Sequence, residues 1–288
     1  MIEAAINELA SKDQNPNVPY SPEEIARDAV ACVRAGASIV HFHARDPETG
    51  AQLWHGVEAY TEAIKQIRSE CDAIVYPTYP PGPSKDERIR TVLALVDDPD
   101  VGLEMATLDV GATNTGGVDA DGQWSGGAYV NSHDDLAFLM GALSARGVAF
   151  SLGVRDVGHM RHVRSYLGNG LVSAPLVVKI FMAEDRIHGP YPNARGLMMY
   201  LDMGPRGEPW HWFTAAYHSP TAHTRVSMLA AAMGGHVRTG LGDNPVLNGK
   251  GMTNAEQVEM AVSMAHLAGR DVATPAEARQ MMGMSASP

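Results

Sequence analysis

The sequence has only two cysteines, Cys32 and Cys71, in 288 residues. One falls in a predicted helix and the other just before a predicted strand, so no disulfide framework is expected, and the usage fits a reducing cytosol. No apolar stretch approaches 18 residues, which excludes a membrane-spanning helix. Met1 runs directly into the strand-like segment 2–6, leaving no room for a cleavable leader. Positive charge is in deficit: 22 Lys and Arg stand against 33 Asp and Glu, a net charge of -11. That balance argues against nucleic acid or an anionic membrane surface as the main partner. It leaves an anionic substrate open, because one arginine or metal inverts the field of a single pocket. Aromatics make up 6% of the chain, too few for a stacking platform. Internal repeats, low-complexity blocks and linkers are also missing. The expectation is a soluble, cytoplasmic protein folded as one domain over residues 1–288.

Apolar residues, at 45%, suffice for a sizeable core, and their pattern alternates short runs with longer amphipathic segments. Strands are predicted at 2–7, 38–43, 73–78, 102–107, 148–154, 177–182, 210–217 and 236–241. Helices are predicted between them, at 57–70, 85–96, 132–146, 159–167, 194–203, 221–233 and 254–267, with a short last one at 276–282. An earlier helix has a clear start in Ser21-Pro22-Glu23-Glu24: an N-cap, a proline at the first position and acids facing the helix dipole. Ile25, Ala29, Cys32 and Val33 continue it at helical spacing, and Gly36 ends it. Eight strands alternating with helices imply a parallel sheet, and at this length a closed (β/α)8 TIM barrel is favoured over an open doubly wound sheet. No glycine-rich dinucleotide fingerprint follows the first strand, which weakens the open alternative. The polar, glycine-rich segment Gly111–Gly127 is too long for a simple connector.

The most informative run is Ser38-Ile39-Val40-His41-Phe42-His43-Ala44-Arg45-Asp46. Two histidines at i, i+2 on a strand point to the same side. At a strand end they form half of a divalent metal site, or else two polar residues satisfied by water or carbonyls. In a barrel the chemistry belongs at the carboxyl ends of the strands. The polar residues expected there are Asn7, Glu8, His41, His43, Thr78, Thr107, Arg155, Asp156, His218, Arg238 and Asp243. Arg238 and Asp243 act on a substrate or merely bridge each other, and so do Arg155 and Asp156. Thr107 also suits a strand for packing alone. Asn114, in the glycine-rich segment, contacts a substrate or serves turn geometry. Among the other histidines only His218 and His223, after the seventh strand, merit testing.

Several blocks then become familiar in combination. They are Pro16-Asn17-Val18-Pro19 with Ser21-Pro22-Glu23-Glu24, Val40-His41-Phe42-His43-Ala44-Arg45-Asp46, and Leu103-Glu104-Met105-Ala106-Thr107-Leu108. Gly234-Gly235-His236-Val237-Arg238-Thr239-Gly240-Leu241 with Asp243-Asn244, and Ala273-Thr274-Pro275-Ala276-Glu277-Ala278-Arg279, complete the series. Over nearly its whole length the chain resembles the β-keto acid cleavage enzymes, whose named member is 3-keto-5-aminohexanoate cleavage enzyme. The resemblance implies an eight-stranded barrel binding Zn2+ and exchanging fragments between a β-keto acid and acetyl-CoA, giving acetoacetyl-CoA or an equivalent acyl-CoA. It places zinc on His41 and His43, substrate hydroxyl contacts on Thr78 and Thr107, and proton handling on Arg238 and Asp243. It also implies a homo-oligomer.

Two acidic positions of the resembled pattern are missing. Where a Glu, the usual third zinc ligand, is expected directly before Asp243, this chain has Gly242. Where the fifth strand commonly carries another Glu, it has Ser151-Leu152-Gly153. By period-2 counting Glu3 shares a face with Ala5 and Asn7 and is the first candidate replacement ligand, unless it pairs with a base such as Lys179. Glu8 is the second. Alternative readings are a metal-dependent lyase or aldolase without CoA, and a catalytically impaired barrel that binds a small carboxylate.

Overall fold

The structure, a computed structural model, describes residues 1–118 and 121–284. Its elements run β1 (Ile2–Ala5), α1 (Pro22–Ala35), β2 (Ile39–Phe42), α2 (Val57–Glu70), β3 (Ile74–Pro77), α3 (Lys85–Asp97) and β4 (Met105–Asp109). Four short strands follow, β5 (Gly111–Asn114), β6 (Gly117–Val118), β7 (Trp124–Ser125) and β8 (Ala128–Asn131). The alternation then resumes with α4 (His133–Ser144), β9 (Ala149–Val154), α5 (His159–Gly168), β10 (Leu176–Met182) and α6 (Ala194–Met203). It ends with β11 (Trp210–Ala216), α7 (His223–Ala232), β12 (His236–Thr239), α8 (Asn254–Leu267) and α9 (Pro275–Met281).

Eight parallel strands make the barrel in the order β3-β2-β1-β12-β11-β10-β9-β4. Strands β3 and β4 lie side by side and complete it, but among the described residues no ladder hydrogen bonds join them. The central strands β1, β2, β3, β10 and β12 are buried along their whole length, as expected where helices cover the outer face and side chains fill the inside. The helices start where the sequence says they should. Ser21 forms a capping box with Glu24, Thr253 one with Glu256, and Thr274 one with Glu277, each satisfying otherwise orphaned backbone N–H groups.

The core has two layers. Most buried apolar residues pack between strands and helices. A smaller cluster fills the lower barrel interior (Met1, Ile39, Ile74, Tyr76, Met105, Val177 and Phe213), and Ala278 and Met282 from α9 and its end close it from below. Arg279 of α9 donates two hydrogen bonds to Glu104, both at 2.7 Å, and one to Asp72 at 2.9 Å. Those carboxylates stand just before β4 and β3, so this one guanidinium ties the unladdered edge at its base.

The segment read as a long loop, 111–127, is folded for much of its length, with its residues 119 and 120 outside the described range. Strand β5 pairs antiparallel with β8 from Gly111↔Asn131 to Asn114↔Ala128, and β6 pairs with β7. The result is a ribbon attached beside the barrel mouth. Its strands of two to four residues are too short, and too rich in Gly, Thr and Asn, to show a period of two.

Candidate metal centre and its cavity

Strand β2 ends at Phe42, and His41 and His43 project together at its carboxyl end. Both are almost fully buried. The Nδ1 of His41 lies 3.1 Å from the main-chain carbonyl oxygen of Tyr76. A carbonyl only accepts, so Nδ1 carries the hydrogen and Nε2 presents a lone pair. The Nδ1 of His43 lies 2.8 Å from Gln52 Oε1, and the Gln52 amide nitrogen donates to the carbonyl of Glu8 at 2.7 Å. That second bond fixes which way the Gln52 amide faces, so His43 has the same tautomer.

Both Nε2 atoms meet the carboxylate of Glu8. His41 Nε2 is 2.9 Å from Glu8 Oε1 and His43 Nε2 is 2.7 Å from Oε2. Yet His43 Nε2 is buried without a hydrogen-bond partner. Two lone pairs facing a carboxylate repel unless a cation lies among them. One nitrogen from each histidine and one oxygen of Glu8 lie within 4.8 Å of one another, a donor set suited to a borderline divalent ion. The donors therefore fit a metal.

Glu8 is one residue beyond Asn7, in a left-handed backbone conformation with φ 34, which is uncommon for a residue with a side chain. Its carbonyl is gripped by Arg45 Nη1 at 2.8 Å as well as by Gln52. Asn7 ties the same turn to β2, accepting from His43 N–H at 2.8 Å and donating to the His43 carbonyl at 2.9 Å. Burial alone would raise the Glu8 carboxyl, but His41 when protonated and the permanent charge of Arg238 outweigh it and hold it well below the ordinary carboxylate range. Burial pushes the His41 imidazolium down, against the pull of Glu8.

Below this set lies an ionic layer. Glu3 pairs with Lys179 and with Arg238, both at 2.9 Å, and accepts from the Tyr76 hydroxyl. Arg238 donates from Nε and Nη2 to the two oxygens of Asp243, both at 2.9 Å, and also touches Glu8. Burial lowers the Lys179 ammonium to about 8 despite Glu3. Among these five residues two cations face three carboxylates, leaving one negative charge for an added cation to balance. The structure thus corrects the Glu3 expectation: Glu3 faces inward but sits about two residues, roughly 6.6 Å, below the level of Ala5 and its register partner His41. Its carboxylate is spent on Lys179 and Arg238, and Glu8 meets the imidazoles.

Above the centre opens a cavity of about 640 Å³. Thr78 and Thr107 line it with Glu8, His41, His43 and Arg238. Asp243 instead lines an adjoining cavity of about 630 Å³ that shares Leu9 and His218 with the first. Asn114 is exposed on the ribbon and is not among the lining residues, whereas its neighbours Thr115 and Gly116 are. His223 is buried outside the cavity, between the Ala216 carbonyl and Thr239.

The far wall was less legible. Arg155 bridges Asp109 at 3.0 Å, not Asp156, whose side chain accepts from Gly158 N–H. Arg155 stacks 4.4 Å over the Phe181 ring and donates to Tyr217, which in turn lies 2.6 Å from His188. Burial works against the Arg155 charge, but Asp109 raises it. A Cβ on Gly153 would fall 2.0 Å from Asp109 Oδ1, so the carboxylate from β4 occupies the space over the glycine of β9. Spatial neighbours such as Gln52, Tyr76 and Asp109 carry no sequence signal of this role.

The family pattern described as beta-keto acid cleavage enzyme matches residues 1–284. The chain is 32% identical over 279 residues to the 3-keto-5-aminohexanoate cleavage enzyme of Fusobacterium nucleatum, covering 95% of this chain and 93% of that one. It is 28% identical over 293 residues to 3-dehydrocarnitine:acetyl-CoA trimethylamine transferase of Rhizobium meliloti, covering 94% and 92%. Among solved structures, a ternary complex of ObcA with a C4-CoA adduct and oxalate superposes with a TM-score of 0.71 at 18% identity. That alignment covers 93% of this chain and 68% of ObcA, a likeness of fold.

Proposed function

The chain belongs to the beta-keto acid cleavage enzyme family, an enzyme of carbon–carbon cleavage, and we propose that it works through a Zn2+ held by Glu8, His41 and His43 with acetyl-CoA as co-substrate. The observation that carries this reading is the fixed tautomer of both histidines, whose bare Nε2 atoms face one carboxylate. When bound, the metal supplies Lewis acidity toward the keto oxygen, which raises the acidity of the carbon between the two carbonyls. The relatives whose names specify acetyl-CoA support the co-substrate.

The residues divide the work as follows. Thr78 and Thr107 offer hydroxyls to the substrate carboxylate at the rim. Asp243, oriented by two hydrogen bonds from Arg238, takes a proton from the carbon between the carbonyls. The carbanion attacks the thioester carbonyl of acetyl-CoA and expels CoA thiolate. The thiolate then attacks the original keto carbon, the bond between that carbon and its neighbour breaks, and the carbanion so released takes back the proton held by Asp243. Atom balance leaves CoA on the substrate's acyl fragment and releases acetoacetate, in place of acetoacetyl-CoA. A homo-oligomer in the cytoplasm is part of the same reading.

The test is incubation with acetyl-CoA and a panel of β-keto acids, following acetoacetate and the new acyl-CoA. Asp243→Asn is expected to lower kcat on the order of 100- to 10,000-fold with the fold intact. Turnover that persists without acetyl-CoA would assign the barrel to a lyase or aldolase. Turnover that survives His41→Ala together with His43→Ala would remove the metal from the mechanism.

A further inference from the structure

Gly242 lies where β12 turns toward Asp243, and its N–H donates to the carbonyl of Ala5 at 2.9 Å. A Cβ placed on it would stand 2.5 Å from Glu8 Cγ and 2.9 Å from Glu8 Cβ, and 2.8 Å from Ala5 O. Non-bonded carbons do not approach so closely, so one side must give way. The Glu8 backbone cannot yield easily, because Arg45 and Gln52 both hold its carbonyl and Asn7 anchors the turn. Rotation of the Glu8 side chain clears its Cγ and swings the carboxylate away from His41 and His43, while the Glu8 Cβ and Ala5 O contacts require a small shift of the backbone at 242. The adjoining cavity, lined by Leu9 and Gly242, gives the carboxylate somewhere to go. On the far wall Gly153 similarly makes room for an acidic side chain of the neighbouring strand, there the carboxylate of Asp109 itself.

We propose that positions 8 and 242 are mutually exclusive carriers of one metal-binding carboxylate, and that the glycine at 242 is what assigns the ligand to Glu8. This rests on the metal-centre reading above. It makes Gly242 a positioning residue: it touches no substrate, yet it decides where the third ligand comes from.

The experiment uses the full chain, stripped with chelator and reloaded with Zn2+ or Co2+. Zn2+ affinity is read by competition with a chromophoric chelator, Co2+ coordination by its visible absorption, and folding by circular dichroism. Glu8→Gln is expected to weaken Zn2+ binding on the order of 100-fold. Gly242→Ala should weaken it comparably although Glu8 is still present. The exchange Glu8→Gly with Gly242→Glu should recover most of the affinity. If Glu8→Gln binds like the parent chain, the metal-centre reading itself fails. If Glu8→Gln loses metal but Gly242→Ala does not, only the exclusion fails. It also fails if Gly242→Glu alone binds more tightly with a Co2+ spectrum of higher coordination, since both carboxylates then coexist. Should Gly242→Ala fold poorly, metal-free unfolding of Gly242→Ala is compared with that of Glu8→Ala/Gly242→Ala. The conflict with Ala5 O is common to both, so the stability regained on removing Glu8, in excess of what Glu8→Ala gains in the metal-free parent chain, measures the conflict between 8 and 242. No such excess overturns it.

Discussion

Gln52 is a surface-facing glutamine in sequence, but its amide does two jobs at once, accepting from His43 Nδ1 and donating to the carbonyl of Glu8. Such outer groups set ligand tautomer and orientation, and their loss typically costs 10- to 100-fold in metal affinity. Gln52→Ala is expected to weaken Zn2+ binding by about that factor with little change in melting temperature, as chelator competition and a thermal scan would register. The histidines were legible because period 2 on a strand puts them on one face. The same rule favoured Glu3 over Glu8, since periodicity reports the face and not the depth. It stops applying past the end of β1 at Ala5, and three residues on Glu8 has left the extended conformation at φ 34.

Helices α1 and α8 meet over the end of β1, and a polar link joins them at the start of α8. Asn254, the first residue of α8, donates to the carbonyl of Ile6 at 2.9 Å and to Asp28 of α1 at 2.5 Å, and accepts from Leu241 N–H at 2.7 Å. It thereby ties together the two loops that carry Glu8 and Asp243. Burial raises the Asp28 carboxyl from 3.8 to about 6, against the Asn254 hydrogen bond. The folded chain therefore holds this proton more tightly than the unfolded one. The stabilising contribution is full below pH ~4 and is lost as pH rises through ~6, a swing of about 3 kcal/mol. Asp28→Asn should be more stable than the parent chain at pH 8, with the gap closing toward pH 4 in denaturant titrations. The eight barrel strands and their helices were readable because each has an apolar run or a cap, as at Ser21 and Thr274. The β5–β8 ribbon was not, because a pairing so short is specified by its partner strand and not by its own pattern.

At the scale of the whole molecule, seven of the eight strand neighbours are joined by ladders, and Arg279 guards the eighth contact from below. Its side chain is only 5% exposed and that of Glu104 17%. Removing it strips Glu104 of a two-pronged partner in a partly buried place. Arg279→Ala is expected to cost about 2–3 kcal/mol of stability, with amide exchange accelerating first in β3 and β4 and later elsewhere. Exchange rising uniformly through the barrel would speak against this.

That edge continues upward into the cavity, between Thr78 at the end of β3 and Thr107 in β4. Elsewhere, widening the mouth would mean breaking a row of backbone hydrogen bonds. Here it means only sliding packed side chains past one another. The cylinder is thus stiff around most of its circumference and compliant along one line, and that line runs between the two threonine hydroxyls. His41 of β2 and Arg238 of β12 stand on strands laddered on both sides, so their spacing does not depend on that line.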